Sequence, residues 1–296
     1  AGGIMLPGSI TEMGETIMAG NDAKVWFITG GSTGIGKSLA LELLTRGDFV
    51  ATTARDTARL DPRIREAEHG LAVSLEVSDA EQCRRAVDEI IAKFGRIDVL
   101  INNAGHGLFG AVEEISDAEA RTVFDSNVFG LLNVTRAVLP SMRAGRSGYV
   151  VNIGSVGGLR AIAGSGIYAA TKFALEGISE AMYHELKPLG IGVTVVEPGP
   201  FRTDFAGRSM HNPANGIDDY AETAGAFRTQ ISKSHGKQQG DPDKAARVII
   251  EAVEAPEPPL HLVLGNPAME RAGEKLQNLL EEIERWRGPS AATDFD

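Results

Sequence analysis

One cysteine, two tryptophans and four tyrosines in 296 residues leave few of the usual structural anchors. The lone Cys83 excludes an intrachain disulfide, and a reducing, cytoplasmic setting is the default expectation. Basic residues are outnumbered by acidic ones, 29 to 40. The resulting net charge of −11 argues against nucleic acid as a partner, because counterion release needs a basic surface. No run of about 18 apolar residues occurs, so no membrane span is expected. HExxH and CxxC spacings are missing, the six histidines are scattered, and no metal site is expected. Internal repeats are absent too. Residues 1–23 lack the basic start and long apolar core of a secretory signal. With Met5, Met13, Met18 and the Gly8-Ser9 pair, they read as a flexible N-terminal extension or leader outside the fold.

What the chain has in quantity is glycine, 35 residues, many of them at turns between apolar segments. Residues 24–28 read as a buried strand and residues 29–36, TGGSTGIG, follow at once. Residues 37–46 then place Leu39, Ala40, Leu43 and Leu44 on one side of a helix. Strand, glycine loop and helix in that order make a phosphate cradle. Glycine lets the backbone approach a pyrophosphate, and a helix start offers free N–H groups and a positive dipole end. Further strands are read at residues 49–54, 71–77, 97–101, 149–153, 191–196 and 260–264, separated by helical stretches. That alternation predicts an α/β fold of Rossmann type, doubly wound, with a mostly parallel seven-stranded sheet and helices on both faces. Residues 24–296 are expected to form one domain.

Tyr168 and Lys172 stand four apart, so on a helix the phenol and the ammonium share a face. Taken alone, such a pair is more often an amphipathic edge with a solvated amine. In a catalytic setting the positive charge would lower the phenol pKa from its usual value near ~10 and ready it for proton transfer. Ser155 lies just past the strand at residues 149–153, where its hydroxyl is placed to hold a substrate oxygen. A serine hydrolase built on Ser155 is disfavoured, since no G-x-S-x-G elbow surrounds it. A redox-sensing nucleotide-binding module without turnover is the other alternative.

The loop spacing TGxxxGIG, NNAG at residues 102–105 and YxxxK at residues 168–172 together resemble the short-chain dehydrogenase/reductase family, in its compact single-domain branch. The resemblance runs from about residue 24 to residue 203. It implies a catalytic set of Asn127, Ser155, Tyr168 and Lys172, with Asn127 disturbing its helix and ordering a water near the lysine through its backbone carbonyl. It implies cofactor contacts from Gly30, Ser32, Thr33, Gly34, Ile35 and Gly36, from Glu76 and Val77 at the adenine, and from Asn103, Ala104 and Gly105. Tyr168 and Lys172 are implied at the ribose, and Pro198, Gly199, Phe201 and Thr203 near the nicotinamide. Strand two ends in Ala54 and Arg55 where an NAD site would carry an acid, so NADP is expected, with NAD less favoured. The implied reaction interconverts a ketone and a secondary alcohol, and the implied assembly is a homodimer or homotetramer through the helices of Asn127 and Tyr168. Residues 204–240 are polar and irregular, as a substrate lid would be. Leu108, Phe109, Val156, Leu159 and Ile162 are expected in an apolar pocket, with His106 and Arg160 at its rim.

Overall fold

The computed structural model describes residues 23–295. The expected extension, residues 1–23, lies outside them except for Ala23, whose carbonyl accepts from Arg96 at 2.8 Å. β1 (Val25–Ile28) is buried throughout: Val25 and Phe27 enter one core, Trp26 and Ile28 the other. Alternation in a strand with both faces covered explains its unbroken apolar run. The remaining strands of the sheet are β2 (Phe49–Ala54), β3 (Gly70–Ser74), β4 (Val99–Asn102), β6 (Gly148–Ile153), β7 (Ile191–Pro198) and β9 (His261–Leu264). Their order is β3-β2-β1-β4-β6-β7-β9, and every pairing is parallel. A separate two-residue pair, β5 (Gly107–Leu108) with β8 (Met210–His211), was not legible in the sequence.

Most strands differ from the reading by one to three residues at an end. β3 stops at Ser74 because Glu76 turns its N–H to the side chain of Gln82 instead of to the sheet. β4 begins at Val99, and Asp98 just before it exchanges bonds with Val25, its N–H donating to the Val25 carbonyl at 2.9 Å and its carboxylate accepting from the Val25 N–H at 2.8 Å.

Helices cover both faces. α3 (Ala80–Phe94), α5 (Leu131–Gly145) and α6 (Gly166–Leu186) bury Phe94, Val138 and Met182 on one. α1 (Gly34–Arg46) and α8 (Pro242–Glu254) pack Leu39, Leu43, Ile249 and Ile250 on the other, with Ile64 of the short α2 (Pro62–Arg65). Burying each such side chain stabilises by roughly 1.5–3 kcal/mol. α4 (Asp117–Phe124) begins with a capping box between Ser116 and Glu119. α7 (Ala226–Ser234) lies within the stretch read as irregular, and α9 (Asn266–Ala291) is the C-terminal helix. No described helix is long and apolar enough to cross a membrane.

The chain order reverses between β1 and β4. In a doubly wound sheet that is where the carboxyl ends of the strands open a crevice.

Candidate active site

A cavity of about 1160 Å³ occupies that crevice. Its floor is the loop between β1 and α1. Gly30 and Gly34 adopt φ of 72° and 58°, which L side chains rarely do. Gly36 is required by close approach instead: a Cβ there would lie 2.4 Å from Asn103 Nδ2 and 2.6 Å from the Gly30 carbonyl. Asn103 in turn donates to the carbonyls of Thr29 and Gly30 at 3.0 and 2.8 Å. Thr29 Oγ1 receives the N–H groups of Asn103 and Ala104 at 3.0 and 3.1 Å. The NNAG segment thus locks the loop to β4. Thr33 caps α1 without a side-chain hydrogen bond, and no acidic residue stands in the first turn. The first-turn N–H groups are therefore left to a ligand. A pyrophosphate fits this donor set.

Ser32, Thr33, Gly34, Ile35, Arg55, Glu76, Val77 and Gly105 all line the cavity, as do Pro198, Gly199, Phe201 and Thr203 from the end of β7. Arg59, from the turn after β2, lines it beside Arg55 and was missed by the sequence reading. Glu76 folds back, its carboxylate accepting from the Ser78 hydroxyl at 3.2 Å. Gly36, Ala104 and Asn127 are not among the lining residues. The first two support the loop from behind.

Asn127 sits in a π-helical turn, Asp125–Gly130, so the helix is disturbed there as the resemblance implied. Its side chain is spent on structure. Oδ1 accepts from the His106 N–H at 3.0 Å, while Nδ2 donates to the His106 carbonyl at 2.9 Å and to Thr171 Oγ1 at 3.2 Å. It ties the segment after β4 to α6, next to Lys172.

Ser155, Tyr168 and Lys172 converge on the cavity. Ser155 Oγ accepts from the Gly157 N–H at 3.0 Å, which fixes the hydroxyl at the end of β6. Lys172 Nζ donates to the Ile153 carbonyl at 2.8 Å and lies 5.9 Å from the centre of the Tyr168 ring. Burial lowers its ammonium to about 8, against the pull of Glu176. The expected depression of the phenol by Lys172 is corrected. Burial dominates and pushes Tyr168 up to about 12, with the Ser155 hydrogen bond acting the other way. In this state the phenol keeps its proton at neutral pH and is a donor.

Aromatic rings pack directly beside Tyr168, Phe205 at 5.5 Å centre to centre. Phe109 lies 5.2 Å from Tyr168, 6.2 Å from Phe205 and 5.7 Å from Phe227, centre to centre. Phe205 and Phe227 come from the segment after β7 and were not anticipated. Val156 and Ile162 line the cavity as expected, but Leu108 and Leu159 do not. Leu108 is instead buried within β5. His106 lines the wall, stacks edge-on against His211 at 5.1 Å, and is lowered by burial. Arg160 is held at 2.5 Å by Glu274 of α9, whose Pro267 and Arg271 also reach the cavity.

A clamp fixes the 204–240 segment. Buried Glu114 accepts from Arg228 of α7 at 2.5 Å and from the N–H groups of Ala111 and Ile217 at 2.7 and 3.0 Å. The Arg228 hydrogen bond, foremost, holds its carboxyl down at about 2. Behind the site, Asn102 donates to Thr135 and to Asn152 at 2.9 Å each, and Asn152 donates to Ser179 at 2.8 Å. This buried chain joins β4, α5, β6 and α6. Its only sequence signal was asparagine inside two apolar strands.

Known proteins share this arrangement. A family model described as short chain dehydrogenase matches residues 24–214. Oxidoreductase BOA17 of Botryotinia fuckeliana is 38% identical over 272 residues, 91% of this chain and 99% of that protein. A 3-ketodihydrosphingosine reductase of Bacteroides thetaiotaomicron is 36% identical over 243 residues, 82% of this chain and 88% of the other. Retinol dehydrogenase 8 of Bos taurus is 35% identical over 251 residues, 79% of this chain and 78% of the other. Among solved structures, a short-chain dehydrogenase from Streptomyces avermitilis superposes with a TM-score of 0.88 at 40% identity, covering 93% of this chain and all of that one. One from Burkholderia phymatum in complex with NAD gives 0.79 at 25%, covering 88% and 95%. ElxO with NADP bound gives 0.69 at 28%, covering 84% and 99%. Since the match takes in the glycine loop, the NNAG turn and the Tyr168–Lys172 helix in one span, the chain belongs to the short-chain dehydrogenase/reductase family of oxidoreductases.

Proposed function

We propose that the protein is an NADP(H)-dependent carbonyl reductase or alcohol dehydrogenase acting on an apolar ketone or secondary alcohol. The observation that carries this reading is the buried Tyr168 flanked by Ser155 on the cavity, with Phe109 and Phe205 packed against its ring and Phe227 against Phe109. The nicotinamide cofactor, when bound, supplies the hydride. Ser155 holds the substrate oxygen, and Tyr168 delivers its proton to that oxygen as the carbonyl is reduced, or recovers it in oxidation. Lys172 restores the phenol's proton balance and binds the nicotinamide ribose. Asn127 keeps the His106 backbone and α6 in register, and a water at its carbonyl completes the relay.

Arg55 and Arg59 at the adenosine end support NADP over NAD. A guanidinium binds a phosphate through paired, charge-assisted hydrogen bonds, and Ala54 offers no acid to repel one. Names of two relatives refer to retinol and 3-ketodihydrosphingosine, largely hydrocarbon molecules, which supports an apolar substrate. The segment at residues 204–240, held by Glu114, is the substrate lid of a single domain spanning residues 24–296. Phe129 and Phe173, exposed beside Asn127 and Tyr168, support pairing of copies through those helices.

The test is NADPH consumption with a panel of ketones graded from small and polar to long-chain and polycyclic. Turnover rising with apolar size is expected. Tight NADPH binding without consumption of any carbonyl would refute the enzymatic reading.

A further inference from the structure

One helical turn beyond Lys172, Glu176 is buried in α6 and faces buried Glu197 of β7. Both oxygens of Glu176 and Oε2 of Glu197 are buried without a hydrogen-bond donor. One oxygen of each carboxyl nonetheless lies within 4.8 Å of one on the other. An ionised carboxylate only accepts, so a pair of anions cannot satisfy itself; one proton between them can. The loop carrying Ser155 rests on Glu176. A Cβ on Gly158 would lie 2.6 Å from Glu176 Oε1, and one on Gly154 would lie 3.1 Å from it.

His261 of β9 closes the pair towards solvent. Its Nδ1 is 2.8 Å from Glu197 Oε1 and 3.6 Å from Glu176 Oε2, and its Nε2 is 3.8 Å from Glu180 of α6. Lys172 is the remaining charge acting on Glu176. Three ligand atoms of this group lie within 4.8 Å of one another, a spacing open to a cation. Donors bound tetrahedrally at about 2.0–2.1 Å would stand about 3.3 Å apart, however. The 2.8 Å contact of His261 is a hydrogen bond.

We propose that Glu176 and Glu197 share one proton and act as positioning residues, holding the Ser155 loop and the Lys172 helix in register for proton transfer. The proposal rests on the reading of Ser155, Tyr168 and Lys172 as the reacting set. Burial, foremost, raises both carboxyls above the ordinary carboxylate range. The folded chain therefore holds the proton more tightly than the unfolded one. The stability this confers is full at low pH and is lost as pH rises through the folded value.

The experiment compares thermal unfolding of the full chain, wild type against Glu176→Gln, from about pH 5.5 to about pH 9. Glutamine keeps the shape of the protonated acid and cannot titrate. The wild type should lose at least about 3 °C relative to the variant across that range. Parallel curves would overturn the shared proton, as would stoichiometric zinc in the purified protein. A second readout addresses positioning: at about pH 6, Glu176→Ala and Gly158→Ala should each lower kcat at least about tenfold, with glutamine at position 176 restoring most of it. Unchanged kcat in both alanine variants would overturn the positioning role. If the wild type turns over no carbonyl at all, the catalytic reading fails instead, while the unfolding curves still decide whether the proton is shared.

Discussion

On the cofactor side of the cavity, most of the shape comes from backbone. Gly30 and Gly34 turn it, Gly36 lets α1 approach Asn103, and Asn103 and Thr29 lock the turn to β4. On the substrate side the shape comes from side chains delivered by distant segments: Phe109 after β4, Phe205 after β7, Phe227 on α7, and Arg160 held by Glu274 of α9. A backbone cradle needs particular residues at fixed spacing, because only glycine fits and only certain side chains reach the main chain. An aromatic wall needs only bulk in roughly the right place. The first side is therefore tightly written in the sequence, and the second is free to change with the substrate.

Lys172→Ala breaks the point where the two sides meet and carries the largest of these effects. Turnover should fall by about 10²–10⁴, with cofactor affinity weakened as well, if Lys172 serves both proton transfer and the ribose as proposed. Stopped-flow turnover and cofactor fluorescence titration measure the two separately. A fall in turnover with cofactor affinity unchanged would remove the ribose role.

Glu114→Gln perturbs the substrate side alone. Leaving Arg228 without its anion weakens the clamp by about 1–3 kcal/mol, so KM for an apolar ketone should rise about tenfold or more while cofactor affinity stays as it was. The pH dependence has a defined sign. The folded-state value of Glu114 is depressed to about 2, so its contribution is present above the ordinary range of a glutamate and is lost as pH falls through that depressed value. Limited proteolysis within residues 204–240 at neutral and acid pH should show the loosening. Equal protection of wild type and variant would mean that Glu114 does not hold the segment.

The smallest effect sharpens the cofactor side. The double variant Ala54→Asp, Arg55→Leu should shift kcat/KM from NADPH towards NADH by about tenfold, the value of one charge-assisted hydrogen bond. Arg59, still in place, should keep the shift from being larger. No shift at all would mean that the end of β2 does not read the ribose phosphate.

The sheet was legible because buried parallel strands are short apolar runs bounded by glycine and polar residues, a rule that β1 follows most fully and the edge strands β3 and β9 least. Their ends were less so. Leu75 to Val77 continue the apolar pattern of β3, yet Glu76 leaves the sheet for Gln82, a choice made by a side chain six residues away. Gly36 and Ala104 stand behind the loop and do not line the cavity, since a motif marks where the backbone must go as much as which atoms face a ligand. The Phe205–Phe227 wall, the Glu114 clamp and the pairing of Glu176 with Glu197 depend on segments brought together only by the fold. Nothing in local periodicity marks them. The lowering of the Tyr168 pKa expected from an adjacent cation is opposed by burial, which pushes the phenol up.

The central claim is that Tyr168 supplies the proton in a carbonyl reduction whose cofactor is bound by other groups. The most direct measurement is the single-turnover rate of NADPH oxidation with one accepted apolar ketone, wild type against Tyr168→Phe, alongside the NADPH dissociation constant of each. The variant keeps the ring that packs against Phe109 and loses only the hydroxyl. The account predicts a rate lower by at least about 10² with a dissociation constant within about threefold of wild type. A folded variant that retains most of the rate would contradict it.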